Sequence, residues 1–151
     1  MRFLITMCAL FFLNSCGYTP LYNSSNEYGN FSFNIKALEG DDKINTSITK
    51  NLKMLEESES KKKLDININT QYSKEAISKN LSGKTSIYRL TVNAIFEVYL
   101  EDNARTFVIS KSSEISASDD IFKQNRSEIN TRENLSKIIV QELITKLDLI
   151  R

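Results

Sequence analysis

Thiol chemistry is the first possibility that the sequence raises, because the chain contains two cysteines, Cys8 and Cys16, and no histidine. A thiol can ligate zinc, act as a catalytic nucleophile or carry a covalently attached group. The absence of histidine excludes zinc sites built on Cys and His within one chain, and it excludes Ser-His-Asp and Cys-His catalysis. Covalent modification is the chemistry that remains for Cys16, and its neighbours indicate which modification.

The residues before Cys16 have the pattern of a bacterial export signal. Arg2 supplies a positive charge, and the apolar stretch "FLITMCALFFL" follows it. This stretch has the length of a signal-peptide core and is too short for a helix that spans a bilayer. A buried N-terminal helix is the alternative, but such a helix would carry polar residues on one face.

The end of the apolar stretch, "LNSC" at Leu13–Cys16, resembles the bacterial lipobox. In that motif the cysteine thiol receives an S-diacylglycerol group, cleavage occurs before the cysteine, and the new amine is N-acylated. Acyl chains anchor a protein because each buried CH₂ contributes about 0.8 kcal/mol. We therefore predict a lipoprotein signal peptide over residues 1–15 and lipidation of Cys16.

The residues after Cys16 indicate where the anchored protein resides. Gly17 follows the cysteine, whereas Asp at this position is the usual signal for retention in the inner membrane of bacteria. We therefore expect an outer-membrane lipoprotein on the periplasmic side. Residues 16–30 are short and polar, with Pro20 and Gly29, and we interpret them as a lipidated tether.

The composition limits the remaining possibilities. The 151 residues suit one domain, and 26% charged and 40% hydrophobic residues are typical of a globular chain. The net charge of +1 gives no electrostatic basis for binding nucleic acid. The four glycines are far apart, so no Gly-rich phosphate loop is present. We expect no metal and no cofactor beyond the acyl groups on Cys16.

The first elements after the tether are a strand and a helix. "FSFNIKAL" at Phe31–Leu38 alternates apolar and polar residues, with Ala37 on the apolar face, which predicts a half-buried strand. Asp41 and Asp42 suit the N-cap and first turn of a helix. That helix carries an apolar stripe composed of Ile44, Ile48, Leu52 and Leu55.

Three strands and a second helix are predicted to follow. Strands are expected at Leu64–Tyr72, Thr85–Leu100 and Arg105–Ser116, because apolar side chains alternate with polar ones. A loop around Asn80 and Gly83 and the turn "EDNA" separate these strands.

From residue 118 to residue 151 the apolar spacing is helical, beginning at Asp119 and Asp120. Asn130 and Thr131 could break this helix. The order β-α-β-β-β-α predicts an α+β fold: a two-layer sandwich of two helices on a four-stranded mixed or antiparallel sheet, forming a single domain over residues 31–151.

The segment "CGYTPLY" at Cys16–Tyr22 resembles the start of the mature LPS-assembly lipoprotein of the LptE family in its alphaproteobacterial form. The element order and the chain length are also similar to that family. The resemblance implies a non-enzymatic lipoprotein that plugs the outer-membrane β-barrel LptD and helps to assemble it. It further implies a role in the insertion of lipopolysaccharide into the outer leaflet. The alternative is a freestanding, lipid-tethered periplasmic binding module of another envelope transport system.

Candidate contacts for lipopolysaccharide phosphates are basic residues near the long hairpin. Arg89 and Arg105 are the first candidates, and Lys84 and Lys111 are weaker ones. The alternative is a solvated strand face, since Lys and Arg on strands often only prevent sheets from pairing. A carboxylate enzyme could be imagined from Glu97 and Glu101, but an open strand without a cleft does not suit glycosidase chemistry.

Overall fold

The computed structural model describes residues 31–54, 62–100 and 103–149. The predicted signal peptide over 1–15, the tether over 16–30 and Cys16 lie outside these residues. Leu55 and Glu101 lie outside them as well.

The fold is the predicted α+β arrangement of two helices and a four-stranded sheet. The elements are β1 (Phe31–Gly40), α1 (Asp42–Met54), β2 (Lys62–Lys79), β3 (Thr85–Leu100), β4 (Asn103–Ser116) and α2 (Ile121–Asp148). The strands lie in the order β1-β2-β3-β4. β1 is parallel to β2, and the other two pairings are antiparallel. The sheet is therefore mixed, and the order β-α-β-β-β-α is confirmed.

One face of the sheet, here called the inner face, packs against both helices to form the core. Its apolar residues alternate along each strand as the sequence predicts. The fully buried residues of β2 and β3 are Leu64, Ile66, Ile68, Leu90, Val92, Ala94, Phe96 and Val98. The helices bury Ile44, Ile48, Leu52, Leu135, Ile139, Val140, Leu143, Ile144 and Leu147 against them. The alternation fixes the strand register, because a slip of one residue would expose the whole apolar set.

β2 is longer than the predicted strand. It continues from Tyr72 to Lys79, where the sequence has lost its alternation. Backbone pairing explains the extension, since Ser73 pairs with Thr91 and Ala76 pairs with Tyr88. β3 is long enough to provide hydrogen-bond partners for β2 beyond the apolar part of that strand. At about 3.3 Å per residue, the 18 residues of β2 extend roughly 60 Å.

A bulge in β1 corrects the predicted position of Ala37. The pairing with β2 shifts between Ile35 and Ala37, so Lys36 is the extra residue. Ala37 then lies opposite Asn67, and Leu38 lies opposite Ile68. Because alternate residues of a strand face opposite sides, Ala37 moves to the outer face and Leu38 moves to the inner one.

β1 ends at Gly40 because only glycine fits there. Gly40 has φ +95°, and a Cβ atom at this position would lie 1.8 Å from the carbonyl oxygen of Thr70. The chain then turns into α1, whose N-cap is the predicted Asp41. Its carboxylate accepts hydrogen bonds from the backbone N–H groups of Lys43 and Ile44 at 3.0 and 2.9 Å.

α2 begins as predicted at an aspartate and does not break. The N-cap Asp120 accepts from the backbone N–H groups of Phe122 and Lys123. The helix is continuous through Asn130 and Thr131, since the weak preference of these residues for caps is overridden by the packing that follows. The buried side chains of α2 begin only at Leu135, so its first half presents no buried side chain to the sheet.

Candidate functional site

The outer face of the sheet is one candidate surface, because no described helix covers it. Across β2, β3 and β4 it presents three successive rows of uncharged side chains in register. The rows are Asn69-Ile95-Val108, Gln71-Asn93-Ser110 and Ser73-Thr91-Ser112. Ile95 and Val108 are 40% and 66% exposed. We call these nine residues the uncharged band, and such a surface suits contact with another polar but uncharged surface.

Two ion pairs lie on the outer face beyond the uncharged band. Arg89 donates to Glu114 at 3.0 Å across β3 and β4. At the other end, Lys36 lies 3.3 Å from Asp65. The hydrogen bond from Asn34 at 2.7 Å and the positive charge of Lys36 lower the pKa of the Asp65 carboxyl. Glu97 lies in the row next to the band and Glu39 of β1 lies beside Asn69, so the neutral surface is the band itself on β2, β3 and β4.

The structure does not bring the two candidate arginines together. Arg89 is on the outer face beside Glu114, whereas Arg105 pairs with Val98 on the inner face. Glu114 lies nine residues along β4 from Arg105, which corresponds to about 30 Å. One phosphate-bearing headgroup therefore cannot contact both side chains.

The weaker candidates are neutralised by ion pairs. Lys84 lies 3.7 Å from Asp119, between the β2–β3 turn and the start of α2. Lys111 lies 2.6 Å from Glu142 of α2. The hydrogen bond from Lys111, together with the positive charges of Lys111 and Lys146, lowers the pKa of the Glu142 carboxyl. Both lysines therefore serve contacts within the fold.

A polar network beneath the first half of α2 was not foreseen from the sequence. Glu128 accepts hydrogen bonds from the Tyr72 hydroxyl at 2.9 Å and from Lys74 Nζ at 2.7 Å. Arg132 lies 3.1 Å from the same carboxylate and stacks over the Tyr72 ring at 4.8 Å. Lys74 lies 4.5 Å from the centroid of the Tyr88 ring. No sequence signal could reveal it, because Lys74 lies beyond the alternating part of β2.

The network shifts the pKa values of its members. Burial alone would raise the pKa of Glu128, but the hydrogen bonds from Lys74 and Tyr72 and the nearby positive charges outweigh it, so the pKa is lowered. Burial and the hydrogen bond to Glu128 raise the pKa of the Tyr72 hydroxyl. Glu128 is thus held ionised, and it ties α2 to β2.

A groove between α1 and α2 is the second candidate surface. It is lined by side chains of both helices and has a volume of about 740 Å³. Four basic side chains line it: Lys43, Lys50, Arg132 and Lys137. Met54 and Ile129, which are 63% and 49% exposed, supply apolar surface.

Within the described ranges, no group of three or more His, Cys, Asp or Glu side chains is placed to hold a metal ion. Among the helices of the described residues, none is both long and apolar enough to cross a bilayer.

The fold of the chain is similar to the folds of two solved lipoproteins. It is similar to the rare lipoprotein B from Shewanella oneidensis, with 15% identity, a TM-score of 0.54 and coverage of 78% of this chain and all of that chain. It is also similar to an uncharacterized lipoprotein B from Nitrosomonas europaea, with 12% identity and a TM-score of 0.52. That similarity covers 78% of this chain and 84% of that one.

At these identities the shared feature is the fold. No protein-family model matches the chain, and no curated protein matches it.

Proposed function

We propose that the chain is an outer-membrane lipoprotein that plugs the LptD β-barrel, helps to assemble it, and assists the insertion of lipopolysaccharide into the outer leaflet. The protein acts by binding and does no chemistry of its own. The observation that carries the proposal is the uncovered outer face of a long sheet, which presents the uncharged band in the middle of β2, β3 and β4.

The shape of this face suits the inside of a barrel. The interiors of outer-membrane barrels are polar, and the uncharged band offers amide, hydroxyl and small apolar groups without an unpaired charge. The sheet is also long enough: roughly 60 Å for the 18 residues of β2 exceeds the hydrocarbon core of about 30 Å. A plug of this length can contact the barrel wall over its whole height.

The N-terminal sequence supports the same proposal. The "LNSC" segment and Gly17 suit a lipid anchor on Cys16 that holds the protein at the inner leaflet of the outer membrane. The segment "CGYTPLY" resembles the LptE family, and the fold is one that lipoproteins from two other bacteria share.

Co-purification from native outer membranes in mild detergent tests the proposal. We expect the lipoprotein to emerge in a stable complex with LptD, with an interface above about 2,000 Å², as is typical of obligate pairs. Asn93→Lys and Ser110→Lys, made as separate variants because the two residues face each other within the uncharged band, should each weaken that complex. The matched control changes Lys123→Glu and Lys79→Glu, at two exposed lysines, should not weaken the complex.

Two results would contradict the proposal. The first is a lipoprotein that emerges alone while LptD is assembled normally in cells depleted of it. The second is an unchanged complex when the uncharged band carries the new charges. Either result would favour the freestanding periplasmic binding module.

A further inference from the structure

The groove between α1 and α2 has a charge pattern that the fold does not use. Lys43, Lys50 and Lys137 form no ion pair with any described residue, whereas Lys84, Lys111 and Arg89 each do. Two acidic side chains, Asp42 and Glu133, also line the groove against the four basic ones. The lining therefore carries a net positive charge of two, and its lysines are available for an anionic ligand.

The lysines are spaced for more than one anionic group. Lys43 and Lys50 are seven residues apart on α1, which is about two turns or roughly 10 Å along the helix axis. Lys137 lies across the groove on α2. Three lysines spread along and across the groove can together engage a headgroup that carries more than one phosphate.

The remaining surface of the groove is suited to a hydrocarbon chain. Met54 and Ile129 expose large apolar side chains on its two walls. A thioether side chain adapts well to irregular apolar ligands. The volume of about 740 Å³ falls within the range of about 300–1,000 Å³ that is typical of ligand sites.

A second depression adjoins the groove across α1. It has a volume of about 560 Å³, and Thr46, Lys50 and Met54 line both spaces. Leu38, moved to this side by the bulge of β1, forms part of its wall and is 46% exposed. The hydroxyl of Thr49, which also lines it, is buried without a hydrogen-bond partner among the described residues. Apolar surface and an unused polar group thus continue beyond the first groove.

We propose that the groove between α1 and α2 binds the lipid moiety of lipopolysaccharide, with its phosphates on the groove lysines and an acyl chain against Met54 and Ile129. The assignment rests on the proposed function for the identity of the lipid, while the charge and shape of the groove are independent of it. It moves the lipid contact from the strands, where Arg89 and Arg105 lie far apart, to the helix layer.

A single introduced tryptophan can report on the groove, because the chain has no native tryptophan. The full lipoprotein carrying Ile129→Trp, and separately Met54→Trp, is purified in mild detergent and titrated with lipopolysaccharide. We expect a saturable blue shift of the emission from either position. Absence of a shift at both positions would overturn the proposal.

Charge reversal tests the role of the lysines. Lys50→Glu combined with Lys137→Glu should weaken lipopolysaccharide binding by at least about tenfold, since losing charge-assisted contacts of this kind is worth more than about 1.4 kcal/mol. The matched control is Lys79→Glu with Lys123→Glu, two exposed lysines outside the groove, which should change binding less than about twofold. Equal weakening by both pairs would mean a general charge effect and would overturn the site.

The choice of lipid separates this proposal from its rivals and from the proposed function. Phosphatidylglycerol micelles, with one phosphate per lipid, should bind much more weakly, and equal affinity would overturn the assignment to a two-phosphate headgroup. An Ile129→Trp protein that also carries Lys50→Glu and Lys137→Glu, and that keeps LptD but loses the blue shift, would support the groove. Co-purification of the wild type with LptD, together with no shift from either introduced tryptophan, would refute the groove alone. A shift from an introduced tryptophan without LptD co-purification would support the groove and contradict the plug.

Discussion

Replacing Phe96 by aspartate tests the strand register on which the whole sheet depends. Phe96 lies in the middle of β3, is fully buried, and pairs with Ile68 on one side and Phe107 on the other. Loss of the ring volume alone costs about 3–5 kcal/mol, as for Phe→Ala in a core. Burial of an unpaired polar or charged group adds about 2–7 kcal/mol. The sum equals much of the stability of a typical domain, about 5–15 kcal/mol, so Phe96→Asp should abolish cooperative folding.

The matched control changes the neighbouring outer face. Asn93 accepts a hydrogen bond from the Ser110 hydroxyl at 2.6 Å, and Asn93→Asp keeps that acceptor, so the expected loss is within about 1 kcal/mol. Urea unfolding followed by far-ultraviolet circular dichroism at pH 7 compares the two, with Phe96→Ala as an intermediate. Similar unfolding midpoints for Phe96→Asp and Asn93→Asp would show that the inner and outer faces have been assigned incorrectly.

Three further predictions concern pH, backbone and anchor. The pKa of Glu128 is lowered from its ordinary value of 4.5, so its contribution to stability is present above pH 4.5 and is lost as the pH falls through the lowered value. The difference in unfolding free energy between wild type and Glu128→Gln should therefore shrink when urea titrations are made at low pH. A difference that stays constant with pH would refute the network. Gly40→Ala should cost more than about 3 kcal/mol because its Cβ would clash with Thr70, whereas Gly83→Ala, with positive φ but no atom within 4 Å, should cost only about 1–2 kcal/mol; equal melting temperatures would contradict this. Radiolabelled palmitate should enter the wild type and not Cys16→Ser, and an unlabelled wild type would exclude lipidation.

The sequence predicted the parts of the fold that depend on local periodicity. β3 has the predicted bounds, Thr85–Leu100, because one face of this central strand is apolar along its length. Asp41 and Asp120 cap the helices as predicted, since a side-chain oxygen at that position satisfies N–H groups that the helix leaves free.

The features that the sequence did not predict depend on contacts between residues distant in sequence. The end of β2 is determined by backbone pairing with β3, and the bulge at Lys36 by the fit between two parallel strands; neither leaves a trace in local periodicity. The candidate site shows the same limit. Arg89 could be identified as a strand cation, but only the assembled sheet reveals that Glu114 neutralises it. The groove requires two helices separated by more than sixty residues of sequence.

The late start of burial in α2 has a consequence for amide hydrogen exchange. From Ile121 to Asn134 no residue is fully buried, and Ile121 and Phe122 are 72% and 88% exposed. The contacts of Glu128 with Lys74 and Tyr72 hold this half to the sheet, whereas the half from Leu135 onward is part of the core. A single continuous helix therefore contains two zones of protection: amides of the first half should exchange through local opening, and those of the second only when the whole domain unfolds.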